Sequence, residues 1–250
     1  MSGIWAACST RAAPVVLQGE VHRLVESQEQ VATRSLVRTL AEQALLEDLL
    51  ESSKPALPAT AAGLHYLLAT PFRYPTRPWG SRFGLRFEPS LFYGARSVDT
   101  VLAECAYYRF VFWCGMATPP SAPLDKRHTL FRAGVSTTRG LQLQLEPFDA
   151  WQEQLTHPAD YSATQALGSE LRAAGIEAFE YRSASDPDGG INVALFTPRV
   201  FATAKPAVLD EWLCTTDAAR VSYYSRHGGG IREFRKQLFT VNGVLPMPAQ

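Results

Sequence analysis

Across residues 65 to 200 no periodicity is sustained for long. Short apolar runs are cut by Pro and Gly, and only 98–114 and 162–174 keep a helical repeat. This punctuation constrains the fold more than anything else in the chain. A doubly wound α/β protein alternates strands with long helices, whereas many short strands with a few helices make an α+β domain. Strands are expected at 65–70, 82–87, 90–95, 130–137, 141–145, 177–182, 191–197, 219–225 and 236–241. Ser97 is a good N-cap for the first helix, and Asp99 in its first turn suits the helix dipole. Gly175 stops the second helix, and Asp186-Pro187-Asp188-Gly189-Gly190 reads as a turn between strands.

Upstream, Val21, Leu24, Val25, Val31, Leu36, Val37, Leu40, Ala44, Leu45, Leu49 and Leu50 recur at helical spacing. They predict two helices broken near Ala32-Thr33. The segment 20–52 carries seven acidic side chains and reads as an amphipathic cap or interaction arm, closed by Pro55 and Pro58. Residues 1–19 show no periodicity and are expected to be loose. The expected organisation is an N-terminal helical extension, 1–58, followed by one domain, 59–250. A chain of 250 residues can bury a single substantial core.

Lys+Arg and Asp+Glu are equal at 24 each, with no basic block, which argues against a nucleic-acid or anionic-membrane binder. The four cysteines, Cys8, Cys105, Cys114 and Cys214, form no CxxC pair. They read as packing residues of a protein in a reducing, cytoplasmic setting. The richest apolar window, 105–116, is interrupted by Arg109 and preceded by Glu104, so no membrane span is expected. No HExxH and no Cys/His cluster at metal spacing occurs, and no metal is expected. Without GxGxxG there is no Rossmann dinucleotide site. His227-Gly228-Gly229-Gly230 reads as a flexible turn, because no GxSxG accompanies it.

Chemistry concentrates between residues 73 and 109. Arg73-Tyr74 and Arg82-Phe83 lead to Phe92-Tyr93-Gly94, and Glu104 follows among Val101, Leu102, Cys105, Ala106, Tyr107 and Tyr108. Arginine forks suit phosphates, aromatic rings suit a planar base, and a half-buried carboxylate suits a ribose hydroxyl or a developing cation. A carboxylate so placed needs a partner. Simpler roles stay open: structural ion pairs for Arg73 and Arg82, core packing for Tyr93, and a helix cap for Ser162. Ser183 and Asn192 are expected to be turn and strand residues.

The order of these pieces resembles the RES family, bacterial proteins named for an arginine, a glutamate and a serine. The carriers are Arg73-Tyr74, Gly80-Ser81-Arg82-Phe83, Tyr93 and Ala103-Glu104. Later come Tyr161-Ser162-Ala163-Thr164-Gln165-Ala166-Leu167-Gly168, then Tyr181-Arg182-Ser183-Ala184 and Gly190-Ile191-Asn192-Val193-Ala194-Leu195-Phe196. The match covers roughly 65–200. It departs at Phe83-Gly84, where the family has an aromatic residue followed by Asn, and at Ser185, where an arginine is common.

The resemblance implies an ADP-ribosyltransferase-like core and the toxin half of a toxin–antitoxin pair, with a Xre-like antitoxin as partner. It implies NAD as a consumed substrate and no resident cofactor. Glu104, Arg73 and Ser162 become candidate catalytic residues, and Arg73, Tyr74, Arg82, Tyr93 and Ser162 candidate NAD contacts. Two rival functions are a protein mono-ADP-ribosyltransferase and a non-catalytic binding module. The acidic segment 20–52 is expected to dock the antitoxin or a second copy of the chain.

Overall fold

The computed structural model describes residues 3–27, 36–76, 78–227 and 229–248. It is an α+β protein built on an eight-stranded mixed sheet. The strands are β1 (Val15–Glu26), β2 (Phe92–Ala95), β3 (Leu124–Gln142), β4 (Ala178–Arg182), β5 (Ile191–Leu195), β6 (Val208–Thr216), β7 (Arg220–Ser225) and β8 (Gly230–Arg235). The helices are α1 (Ile4–Cys8), α2 (Leu40–Ser53), α3 (Tyr66–Arg73), α4 (Val98–Cys114), α5 (Gln152–Leu155) and α6 (Ser162–Ala173).

The sheet order is β1-β2-β5-β4-β3-β6-β7-β8, and β1 also pairs with β3. A ring of β1, β2, β5, β4 and β3 therefore closes, with β6, β7 and β8 extending from it as an antiparallel wing. The long strand β3 serves both parts. Its start pairs with β6, from Leu124↔Thr216 to Arg132↔Val208, and its end pairs in parallel with β4 at Gly140↔Ala178. The β1–β2 contact is a single pair, His22↔Ala95, made where Gly94 lets the strands approach; a Cβ there would lie 2.7 Å from the His22 carbonyl.

Three apolar clusters fill this frame. Phe83, Leu143, Phe148, Phe179 and Leu167 pack under α6. Leu102, Ala106, Phe110, Trp212 and Tyr223 pack between α4 and the wing. Leu17, Val21, Leu68, Phe92 and Phe131 fill the ring beneath α3.

Several expectations are corrected. Residues 15–26 form a strand integral to the sheet, so the boundary at 58 does not set a helical extension apart from the domain. Leu17, Val21 and Leu24 are buried at i, i+4, i+7, which mimics a helix, because the two faces of this strand meet different cores. Val15, Val16, Val21 and Val25 favour the strand. The helical reading holds for α2, where Thr39 and Glu42 form a capping box. The predicted break at Ala32-Thr33 lies outside the described residues. The first residues are not loose: α1 buries Ile4 and Cys8 in the core.

Residues 65–70 form the N-cap and first turns of helix α3 rather than a strand, with the His65 ring accepting from the Leu67 amide. The expected strand at 82–87 is a turn with one bridge, Ser81↔Gly84, and 236–241 gives way to a 3-10 turn after β8. Strands 130–137 and 141–145 merge into β3, and β6 is an additional strand. Both expected helices of the domain are present as α4 and α6, with Ser97 capping α4. All four cysteines are free, and Cys114 is exposed rather than packed. No helix among the described residues is long and apolar enough to cross a membrane, and no group of three or more metal-ligating side chains is present among them.

Candidate active site

A cleft of about 550 Å³ opens where α3, α4 and the ring strands meet. Helix phase decides which side chains reach it. From α4, Val101, Glu104, Cys105 and Tyr108 line the cleft at i, i+3, i+4, i+7, joined by Tyr107. From α3 and the residue after it, Leu67, Thr70, Pro71 and Tyr74 do the same. Tyr93 enters from β2, Tyr181 from β4, Asn192 from β5 and Arg23 from β1. Tyr161, immediately before α6, and Trp79 complete an aromatic wall.

Glu104 is the carboxylate of this cleft. Its Oε1 accepts hydrogen bonds from Ser183 Oγ (2.6 Å) and Asn192 Nδ2 (2.6 Å). The direction of the serine bond is settled by its neighbours. Ser183 Oγ already accepts from the amides of Ser185 (3.1 Å) and Asp186 (2.9 Å), so its single proton points to Glu104. The other oxygen, Oε2, has no protein donor among the described residues. The loop carrying Ser183 is clamped to the start of α4: Thr100 Oγ1 donates to Asp186 Oδ2 (2.8 Å), and Asp186 Oδ2 accepts from the Gly190 amide. A Cβ at Gly190 would lie 2.0 Å from Thr100 Oγ1, so this clamp needs glycine.

Arg82 is a cation of the same cleft. Its Nη1 donates to the His157 carbonyl (2.9 Å), and its guanidinium lies over the Tyr161 ring at 4.3 Å. Burial pulls its pKa down, but the surrounding Tyr161, Tyr181, Glu104 and Tyr108 raise it further, so the net direction is upward. The turn that presents it is fixed by Gly80, at φ 83, and by Gln165, which donates to the carbonyls of Trp79 (3.0 Å) and Ser81 (3.1 Å). Tyr93 braces the same turn: its phenol oxygen bonds Ser81 Oγ (2.9 Å) and accepts from the Phe83 amide (3.1 Å).

Burial raises the pKa of the cleft phenols Tyr93, Tyr107, Tyr108 and Tyr181, and pushes the Cys105 thiol up to about 12. These groups are neutral near pH 7. The site is thus an apolar, aromatic slot with few charges.

Of the residues singled out in the sequence, Glu104, Arg82, Tyr93 and Tyr74 come together here. Arg73 does not. Consecutive helical residues point about 100° apart, so α3 turns Arg73 away while Tyr74 faces the cleft. Its Nη1 pairs with Glu51 of α2 (2.7 Å), and its Nε donates to the Pro55 carbonyl (2.6 Å). Ser162 is also displaced: it is exposed at the start of α6, where its amide donates to Asp160 Oδ1 (2.9 Å), and Tyr161 takes the place in the cleft.

Ser183 and Asn192 are turn and strand residues, as expected, but their side chains also hold Glu104. The sequence reading missed them, along with Arg23, Tyr107, Tyr108, Tyr161 and Tyr181. The aromatic density around Glu104 was the available signal for Tyr107 and Tyr108.

The RES domain family model matches residues 57–217, and the chain belongs to that family. Among solved structures, the M. tuberculosis MbcT-MbcA toxin-antitoxin complex is similar at a TM-score of 0.49 and 10% sequence identity. That similarity covers 84% of this chain and 92% of that chain. No curated protein matches the sequence.

Proposed function

We propose that the cleft binds NAD and breaks its nicotinamide–ribose bond, and that the protein is a toxin held in check by a cognate Xre-like antitoxin. The carrying observation is the state of Glu104. Two neutral donors fix one carboxylate oxygen, and the other is left open in an aromatic slot beside Arg82.

Nicotinamide is a cationic leaving group, so its departure needs no general acid. The C–N bond breaks with its electron pair moving to the pyridinium nitrogen, and positive charge develops on the ribose. A carboxylate held in place before the reaction stabilises that charge without having to reorganise. Water then adds at the same carbon and releases a proton, or inorganic phosphate adds to give a sugar phosphate. Arg82 supplies a fork for the diphosphate, and Tyr74 and Tyr93 offer faces and edges for the nicotinamide. Arg73 and Ser162, away from the cleft, are given no part in this step.

Product identification tests the proposal. Purified protein and NAD are incubated with and without phosphate, and the products are separated by chromatography. Free nicotinamide with ADP-ribose, or with a phosphorylated ADP-ribose, is expected. An ADP-ribose adduct on a protein would move the reading to ADP-ribosyl transfer. Undiminished NAD at high enzyme concentration would remove the catalytic reading.

A further inference from the structure

We propose that residues 239–248 form a strap that sets what the cleft accepts beside Glu104. By taking the Tyr107 proton, the strap makes this end of the cleft an acceptor-only surface. Such a surface selects a group that donates, a sugar hydroxyl, over one that accepts, such as a phosphate. This deepens the NAD reading above and rests on it. The strap lies beyond the family-matched residues, 57–217.

Two apolar anchors hold the strap in place. Phe239 is buried against the rings of Tyr107, Phe110 and Phe234, at centroid distances of 6.2, 5.7 and 6.4 Å. Leu245 is buried in the same cluster, between α4 and the wing. Between the anchors the chain reverses at Asn242 (φ 52) and Gly243 (φ 77), closed by the Val241↔Val244 bridge. Positive φ at both central residues is the turn that Asn-Gly favours. Pro246 and Pro248 then restrict the backbone, and Pro248 lines the cleft.

The strap meets the cleft through Tyr107, whose Oη donates to the Pro246 carbonyl (2.7 Å). A carbonyl only accepts, so the phenol proton is committed to the strap. Burial raises the Tyr107 pKa, and the proton stays in place at neutral pH. The oxygen has only lone pairs left for the cleft, and no protein donor reaches them among the described residues. Glu104, one turn earlier on α4, likewise offers an open oxygen that only accepts. Side chains at i and i+3 are neighbours on a helix surface. Two acceptors so placed suit sugar hydroxyls and disfavour a phosphate, whose oxygens also accept. Without the strap, the phenol could turn its proton to the cleft and this selectivity would be lost.

Titration calorimetry on the full chain with ADP-ribose and ATP tests this. Both carry adenosine diphosphate; one continues into a sugar with free hydroxyls, the other ends in a phosphate. Wild type should prefer ADP-ribose by about tenfold or more. Tyr107→Phe keeps the ring without the oxygen, and should weaken ADP-ribose by about three- to tenfold without weakening ATP. Leu245→Ser removes a strap anchor and should raise amide exchange across 241–248. The preference for ADP-ribose should then fall by about three- to tenfold. Should Leu245→Ser not fold, Gly243→Val at the exposed turn releases the strap instead. Unaltered ADP-ribose affinity in Tyr107→Phe, or an unaltered preference with the strap released, overturns the assignment and leaves the NAD reading standing. So does a wild type that binds ATP as tightly as ADP-ribose. A wild type that binds neither nucleotide overturns both.

Discussion

Glu104 and Glu180 are both carboxylates drawn into the interior, yet the structure treats them in opposite ways. Glu180 on β4 is closed off. Arg96 Nε donates to one oxygen (2.7 Å), and Gln142 (2.9 Å) and Gln144 (3.1 Å) donate to the other. Arg96 in turn donates to the Glu20 carbonyl on β1 (2.9 Å), so the cluster ties β1, β3 and β4 together. Glu104 on α4 has neutral donors on one oxygen only and no ion pair among the described residues. A buried charge with donors on both oxygens is a structural tie. One with a free oxygen facing a cleft has capacity left for a ligand.

Substitutions at the two sites should therefore separate stability from turnover. Glu180→Ala leaves Arg96 buried and unpaired, and should cost roughly 3–5 kcal/mol of folding free energy in denaturant titration. The folded fraction should keep its NAD turnover. A loss of turnover without a loss of stability would erase the contrast between the two carboxylates.

Ser183→Ala and Asn192→Ala each remove one donor from Glu104, and each should lower kcat by about ten- to hundredfold. A purely structural role for these residues would lower stability in denaturant titration and leave the kcat of the folded fraction unchanged.

Acid stability sharpens the contrast further. Burial would raise the Glu180 pKa, but hydrogen bonds from Gln142 and Arg96, together with the Arg96 charge, lower it overall. Its folded pKa lies below the unfolded one, so its stabilisation is complete above the ordinary glutamate value of 4.5 and is lost as pH falls through the folded value. Melting temperatures recorded from pH 6 to pH 3 should fall more steeply for wild type than for Glu180→Ala. The smallest effect is expected for Arg73→Met. Its Glu51 partner is exposed, and kcat/KM should stay within about threefold, while amide exchange rises across 40–55.

Much of the site was legible wherever one helix presented it. Ser97 marked the start of α4, and the apolar neighbours of Glu104 required it to be partnered. The partners themselves were hidden, because Ser183 and Asn192 lie 79 and 88 residues further along the chain and meet Glu104 only after the sheet forms. Arg73 and Tyr74 are adjacent in sequence, but helical phase sends them to different surfaces once 66–73 is a helix and not a strand with a loop. Arg23 was lost with β1. A strand buried on both faces spaces its apolar residues like a helix, and a helical reading gives no reason to bring residue 23 to residue 93. The α+β class was readable because it follows from element lengths and punctuation; ring closure was not, since it depends on β3 pairing far along the chain.

The most direct measurement is the rate of nicotinamide release by wild type and by Glu104→Gln, with ADP-ribose binding measured on both. If the open carboxylate steadies the developing sugar cation, the variant should bind ADP-ribose normally, melt like wild type and release nicotinamide about 10²–10³-fold more slowly. A Glu104→Gln protein that turns over NAD within a few-fold of wild type would contradict the account.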